Sequence, residues 1–266
     1  MPHWLFRPPV SALRRDRSKQ RRRVRWLHRK PDADWLAFVA TYVLLDTNQW
    51  DRMPALRHRL AAALLYALQT RGDTVIGLPT VVREEVGLHL VEKHDKAVRQ
   101  VDRCLGEIRQ VLGYAAHVDR ASDDEVREAF DARLDELRDV VEEVTVLDGD
   151  LAAAGRMVLA YEPPNTRESQ QYRDCVLWQT ALRLAEDHDV IIVTNDSGFY
   201  ADEASKELSP NLLAAAEDVS GSLTAVRTVE NLLVLWGSLS PSGERAELID
   251  LFTDAMAEKV KDAFRK

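Results

Sequence analysis

The chain has 266 residues, of which 45% are hydrophobic, and a formal net charge of −8 at pH 7. This is enough for one sizeable domain with a hydrophobic core. The two cysteines form no C-x-x-C spacing, which excludes a disulfide framework and a cysteine zinc site, and no apolar run approaches the length of a membrane span. We therefore expect a cytoplasmic protein that makes no membrane contact.

The charge is distributed unevenly along the chain. Residues 1–30 carry 11 Lys or Arg and one acidic residue, Asp16, whereas the rest of the chain is strongly acidic. A basic segment attached to an acidic body is more often an interaction tail than part of a core. The sequence thus predicts a basic, disordered N-terminal arm at residues 1–35.

Beyond the arm, short apolar segments rich in strand-forming residues alternate with helical patterns. Apolar strands separated by helices are typical of a parallel sheet covered on both faces, so the predicted fold is a three-layer α/β/α sandwich. Ser122 and Glu125 have the spacing of a capping box at one helix start. The predicted strands are 41–46, 74–79, 143–148, 189–196 and 222–229, and the predicted helices are 54–72, 81–114, one from Ser122, 151–160, 172–186, 230–236 and 244–264.

Acidic side chains from four separated parts of the chain converge in such a fold. Ligands of an open parallel sheet bind outside the carboxyl ends of its strands. Clustered carboxylates repel one another, and a hard divalent cation such as Mg²⁺ or Mn²⁺ removes that cost through oxygen ligands. The acids are Asp46 after the first strand, Glu84 and Glu85 after the second, Asp174 at the helix before the fourth, and Asp196 after the fourth.

Each of these acids also has a purely structural interpretation. Asp46 and Asp196 suit turns or helix N-caps, and Asp174 complements a helix N-terminus. His89 and His94 are five residues apart, which does not place them on one helix face as a metal pair. The metal interpretation is favoured because four acids are less expected to meet at one sheet edge for purely structural reasons than a single acid is.

The ordered segments LLDTN, PTVVREEV, YRDCVLW and VIIVTND resemble a PIN-domain ribonuclease over roughly residues 41–236. The resemblance implies a parallel sheet of order 3-2-1-4-5 whose acids bind Mg²⁺ or Mn²⁺, and cleavage of single-stranded RNA through a metal-activated water. It implies catalytic and metal-binding roles for Asp46, Glu85, Asp174 and Asp196, with Glu84 as the fallback for Glu85, and supporting roles for Thr47, Asn48, Thr194 and Asn195.

Two features depart from the family pattern. The stretch between Glu85 and Asp174 is long and helical, which predicts a helical insertion at about 89–142 inside a domain at 36–240, followed by a C-terminal helix at 241–266. The loop after Asp196 reads SGFY and lacks the second acid that some members carry. The number of metal ions, one or two, is therefore left open.

Substrate contacts and partners follow from the same resemblance. Arg167 and Arg173 precede Asp174 and are candidate RNA phosphate contacts, with solvated surface arginines as the alternative. By family analogy we expect RNA, a second copy of the chain and an antitoxin-like protein as partners. A haloacid-dehalogenase-like phosphatase is discounted because it requires a second Asp where Asn48 stands. A catalytically silent PIN scaffold that binds RNA or protein remains the alternative function.

Overall fold

The computed structural model describes residues 40–113, 118, 120–166, 170–202 and 204–239, except the side chains of residues 238 and 239. Three predicted features lie outside these residues, and their structure is not discussed further. They are the basic arm at 1–35, Arg167, and the C-terminal helix at 241–266.

Five parallel strands form one sheet in the order β3-β2-β1-β4-β5. The central strands are buried along almost their whole length, which requires cover on both faces. The predicted α/β class and the strand order 3-2-1-4-5 are therefore confirmed. The strands are β1 (Thr41–Leu45), β2 (Thr74–Pro79), β3 (Val141–Val144), β4 (Asp189–Val193) and β5 (Leu223–Val226).

Helices surround this sheet and connect its strands. In the described structure α2 packs against α8, α3 against α4, and α5 against α6. Two short 3-10 turns lie at Pro54–Leu56 and Ser197–Phe199. The helices are α1 (Thr47–Arg52), α2 (Arg59–Arg71), α3 (Thr80–Leu112), α4 (Asp123–Glu136), α5 (Asp148–Ala160), α6 (Tyr172–Leu184), α7 (Pro210–Glu217) and α8 (Val229–Leu239).

Several element boundaries differ from the sequence predictions, since β4 and β5 end at Val193 and Val226 rather than at 196 and 229, and α5 begins at Asp148 rather than at 151. Two further differences have a structural reason. β3 begins at Val141 rather than at residue 143, because Val141 pairs with Ile76 of β2, whereas Leu147 at the end of the predicted strand is exposed. The predicted helix 54–72 is interrupted because Ala55 and Leu56 adopt positive φ angles of 49° and 51°. As a result, α2 starts only at Arg59.

A close contact between β1 and β2 brings the centre of the sheet together. A Cβ atom on Gly77 would lie 2.6 Å from Leu44 Cδ2 and 3.0 Å from Tyr42 Cδ1, so that any larger residue would force these side chains to shift. Leu44 and Leu45 are fully buried. Asp46 follows directly and therefore emerges at the middle of the carboxyl edge, between the ends of β2 and β4.

α3 is a continuous helix of 33 residues. The predicted insertion at about 89–142 thus begins within this helix rather than at an element boundary. Whether that segment is an insertion relative to other family members stays a prediction. Despite the length of α3, the described part of the chain contains no helix with the apolar character needed to cross a membrane.

Candidate active site

Asp46 is held at the carboxyl end of β1 by hydrogen bonds from two neighbouring side chains. Its backbone N–H donates to the Val193 carbonyl at 3.0 Å, which continues the pairing of β1 with β4. Its side chain is buried, and Oδ2 accepts hydrogen bonds from Thr194 Oγ1 at 2.6 Å and from Asn48 Nδ2. Asn48 and Thr194, both predicted to support the site, thus orient the carboxyl group of Asp46.

The side chains of the other two predicted supporting residues, Thr47 and Asn195, do not hold the Asp46 side chain. Thr47 Oγ1 donates to Glu85 Oε2 at 2.7 Å, so that this hydroxyl orients the second acid rather than the first. Asn195 is exposed and contributes nothing to the cleft that the described residues form. Its neighbour Thr194 faces inward because alternate residues at a strand end point to opposite sides.

Asp196 follows β4 and caps the 3-10 turn that comes next. Its Oδ1 accepts the Gly198 N–H at 2.7 Å, and its Oδ2 accepts Gln171 Nε2 at 2.9 Å. A Cβ atom on Gly198 would lie only 2.2 Å from the Pro164 carbonyl oxygen. Glycine at this position therefore lets the loop before α6 approach and deliver Gln171 to Asp196.

Glu85, in the second turn of α3, faces the same space. Its Oε1 accepts a hydrogen bond from Arg173 Nη1, while Thr47 occupies Oε2. Glu84, the fallback candidate, is exposed and lies outside the cleft lining in the described structure. Arg173, predicted to contact RNA phosphate, is instead ion-paired with Glu85, with its side chain 57% exposed at the rim.

Asp174, in the first turn of α6, completes the group of four acids. Burial, together with the charges of Asp46, Asp196 and Glu85, raises the pKa of Asp174 to about 8, whereas Arg173 opposes the shift. Since a neighbouring carboxylate shifts a pKa only at short range, these acids must lie close together. The structure thus brings together four acids that are distant in sequence.

Asp46 shows a related electrostatic pattern. The pKa of Asp46 is raised to about 6, mainly by burial and to a lesser degree by the charges of Asp196 and Glu85, while hydrogen bonds from Thr194 and from the Thr47 backbone oppose the shift. Both shifts express the cost of placing unpaired negative charge in a poorly solvated space. A bound cation would remove that cost.

All four acids line one open cleft of about 530 Å³ at the carboxyl edge of the sheet. Besides the four acids, its lining contains residues that the sequence did not single out as site residues. The complete lining is Asp46, Thr47, Asn48, Asp51, Glu85, His89, Gln170, Gln171, Tyr172, Arg173, Asp174 and Asp196.

The donor set fits a hard divalent cation, because carboxylate oxygens are the ligands that Mg²⁺ and Mn²⁺ prefer. However, no three His, Cys, Asp or Glu side chains among the described residues already have the arrangement of a metal site. Asn48, Gln171 and Arg173 engage carboxylate oxygens that a cation would use. A carboxylate oxygen has two lone pairs, so that a cation would share these oxygens with the donors. The metal-ligand roles stay predictions.

Sequence reasoning missed part of the cleft. The sequence analysis treats His89 only as a possible metal ligand. Its position four residues after Glu85 places both side chains on one face of α3, which is a signal for a place in the cleft. Asp51 and Gln171 had no such signal. They reach the cleft through the packing of α1 against α3 and through the loop before α6.

Comparison with known proteins adds one finding. A family model described as PIN domain matches residues 43–199, which is more than half of the chain. The matched range contains all four acids of the cleft. No curated protein and no solved structure gives a significant match to the chain.

Proposed function

The chain belongs to the PIN-domain family, and from this premise we propose that it is an endoribonuclease that hydrolyses phosphodiester bonds of single-stranded RNA with Mg²⁺ or Mn²⁺. PIN domains have a nuclease-type fold, are usually nucleases and typically use divalent metals. The observation that supports the proposal most directly is the shared cleft that four carboxyl groups line, in which burial and the neighbouring acids raise the pKa of Asp46 and of Asp174.

Asp46, Glu85, Asp174 and Asp196 would hold the metal. When bound, a divalent cation lowers the pKa of water and stabilises negative charge on phosphate oxygens. The surrounding residues would hold three of these carboxyl groups in place. Thr194 and Asn48 orient Asp46, Gln171 and the Gly198 N–H orient Asp196, and Thr47 and Arg173 orient Glu85.

The attacking group in this proposal is water, so that no covalent intermediate with the protein forms. This route is consistent with the described cleft lining, which contains no Ser or Cys that could act as a nucleophile. Arg173 is retained as an RNA phosphate contact, since its guanidinium is exposed at the rim of the cleft and its cationic fork can serve two acceptors.

The partners remain proposals as well. A basic segment at residues 1–30 would recruit RNA through counterion release, and its deletion should flatten the salt dependence of RNA binding while cleavage at saturating RNA persists. A second copy of the chain, an antitoxin-like protein and a cytoplasmic location are proposed by family analogy and, for the location, from the two unpaired cysteines.

The test is cleavage of end-labelled single-stranded RNA by the purified full chain with Mn²⁺, with Mg²⁺ and with chelator. We expect internal cleavage only when a metal is added, and weaker or no cleavage of single-stranded DNA. The matched control is Asp196→Asn, which keeps an oxygen for the Gly198 N–H but removes the charge.

Metal-independent cleavage, or equal cleavage by Asp196→Asn, would refute the proposal. RNA binding by the wild type without cleavage under any metal would favour the catalytically silent scaffold instead. The hydrogen bonds that Glu85 accepts from Thr47 and Arg173 favour this alternative, because in a silent scaffold Glu85 would serve only to hold these two residues.

A further inference from the structure

A second polar group adjoins the four acids, and two of its members, Asp51 and His89, line the same cleft. It consists of Asp51 in α1 and of His89 and Lys93 in α3. His89 Nδ1 lies 2.8 Å from Asp51 Oδ2. Lys93 Nζ donates to Asp51 Oδ1 at 2.9 Å and to the Asp51 backbone carbonyl at 2.6 Å. All three side chains are about one-third exposed, so that the group is accessible from the cleft.

The hydrogen bonds of this group determine the state of the His89 ring. An ionised carboxylate only accepts hydrogen bonds, so Nδ1 of His89 carries a hydrogen and donates it to Asp51. Both carboxylate oxygens of Asp51 are then occupied, and its charge is balanced by Lys93. The other ring nitrogen, Nε2, bonds to no residue that the structure describes. Because a phosphate oxygen accepts hydrogen bonds, it is bound by the doubly protonated ring, in which both Nδ1–H and Nε2–H donate.

His89 lies next to the reaction centre along the cleft. Glu85, His89 and Lys93 follow one another at intervals of four residues and thus share one face of α3. Four residues advance an α-helix by about 6 Å. His89 is therefore one helical turn beyond Glu85, and a strand that passes Glu85 along this face would next meet His89.

The cleft offers few other donors to a polyanion. Five acids line it, and Arg173 is paired with Glu85. The amides of Asn48 and Gln171 donate to Asp46 and Asp196, and the Tyr172 hydroxyl donates to the Leu151 carbonyl at 3.3 Å. Arg173, whose exposed guanidinium can serve a second acceptor, and the exposed Gln170 are the other side-chain donors that the described lining offers, so that His89 adds a separate donor one helical turn away.

We propose that His89 forms a phosphate subsite of the cleft, in which the Nε2–H of the protonated ring donates to a phosphate of the RNA strand next to the phosphate that is cleaved. Asp51 and Lys93 are positioning residues that hold the ring. The inference rests on the proposed RNA substrate and adds the contact that places the strand. A purely structural role, in which His89 only ties α1 to α3, is the alternative that an experiment must separate.

The first measurement is binding of a fluorescent single-stranded RNA to the full chain in the presence of chelator, followed by anisotropy. His89→Gln should weaken binding by about tenfold, the size of a lost hydrogen bond to a charged group. The matched control is His94→Gln, a histidine on the same helix that does not line the cleft in the described structure. It should change binding less than twofold.

The second measurement locates the contact on the RNA. A series of oligonucleotides carries one uncharged methylphosphonate at successive positions. For the wild type, one position beside the cleaved bond should weaken binding by about tenfold. For His89→Gln the same substitution should have no further effect, whereas the other positions should behave as in the wild type. Asp51→Asn should reduce, without abolishing, the position-specific effect.

The outcomes separate this inference from the proposed function. Equal binding by His89→Gln and wild type, or a loss spread over all phosphate positions, would overturn the subsite even if the wild type cleaves RNA. If one methylphosphonate position weakens RNA binding by the wild type but not by His89→Gln, the subsite is supported even if no metal produces cleavage. A wild type that binds no RNA at all would overturn it as well.

Discussion

Asp46 and Asp150 are equally buried, at 6% exposure each, but their surroundings are opposite. Asp150 lies in the first turn of α5, where both carboxylate oxygens contact Arg183 Nε at 3.0 and 3.2 Å and the Leu147 N–H donates to Oδ2 at 3.0 Å. Asp46 receives neutral donors, Thr194 and Asn48, and lies within the electrostatic range of three further acids.

This difference distinguishes a structural carboxylate from one that is suited to a ligand. Burying a carboxylate is costly unless a cation and hydrogen bonds compensate it. For Asp150 the fold itself supplies the compensation, and the pair links α5 to α6. For the acids of the cleft the compensation is incomplete, which raises the pKa values of Asp46 and Asp174. Removing the charge of Asp150 or of an acid in the cleft should therefore change the free energy of unfolding in opposite directions.

The largest expected effect is on catalysis. Asp46→Asn preserves shape but removes the charge, and we expect RNA cleavage to fall by more than about 100-fold, or roughly 2.7 kcal/mol in activation free energy. Asp150→Asn, measured well below its melting temperature, should cleave within a few-fold of the wild type. Circular dichroism checks that both variants are folded. Substantial cleavage by Asp46→Asn would remove this residue from the catalytic site.

Metal binding should stabilise the wild type through the same acids. At a metal concentration of one hundred times the dissociation constant, the free energy of unfolding should rise by about 2.7 kcal/mol. Thermal melts with chelator and with Mn²⁺ measure this. Asp150→Asn should respond like the wild type, and Asp46→Asn should respond much less. Identical metal shifts in the two variants would place the ion elsewhere.

Removing the compensated acid should destabilise the fold. Asp150→Asn leaves the guanidinium of Arg183 without its carboxylate, although Arg183 keeps its hydrogen bond to the Thr145 carbonyl. Because the Arg183 side chain is 32% exposed, solvent offsets part of the loss, and we expect the free energy of unfolding to fall by about 2 kcal/mol. Urea denaturation measures this change, and an unchanged midpoint would show that the pair adds no net stability.

Removing an uncompensated acid should have the opposite sign. The pKa of Asp174 is raised to about 8 by burial and by neighbouring acids, so that the folded state binds its proton more tightly than the unfolded chain does. Stability in the presence of chelator should therefore decline as pH rises from about 4 to about 8. Asp174→Asn should be more stable than the wild type at pH 8 by at least about 1 kcal/mol.

The pH dependence provides the control for this prediction. At about pH 3 and below, the carboxyl group of Asp174 is largely protonated in both the folded and the unfolded state, so the electrostatic part of the stability difference between Asp174→Asn and the wild type should vanish there. Urea midpoints at several pH values measure it. A destabilised Asp174→Asn at pH 8 would mean that Asp174 serves as a helix N-terminal acid rather than as a member of a repelling cluster.

The sequence by itself determined the features that depend on neighbours along the chain. β2 spans the predicted residues 74–79, and the Ser122–Glu125 capping box forms as its spacing predicts. The acids Asp46 and Asp196 could be placed at one sheet edge because a parallel α/β order brings the carboxyl ends of strands together. Local propensity and the alternation of strands with helices contain this information.

Only the tertiary structure decided which groups touch. Thr194 donates a hydrogen bond to Asp46, which is 148 positions away in the sequence. Thr47 donates to Glu85, 38 positions away, although its place next to Asp46 in the sequence predicted Asp46 as its partner. The Asp51–His89 pair depends in the same way on how α1 lies against α3. Such contacts are decided by packing angles and side-chain rotamers between distant elements, which a pattern along the chain does not specify.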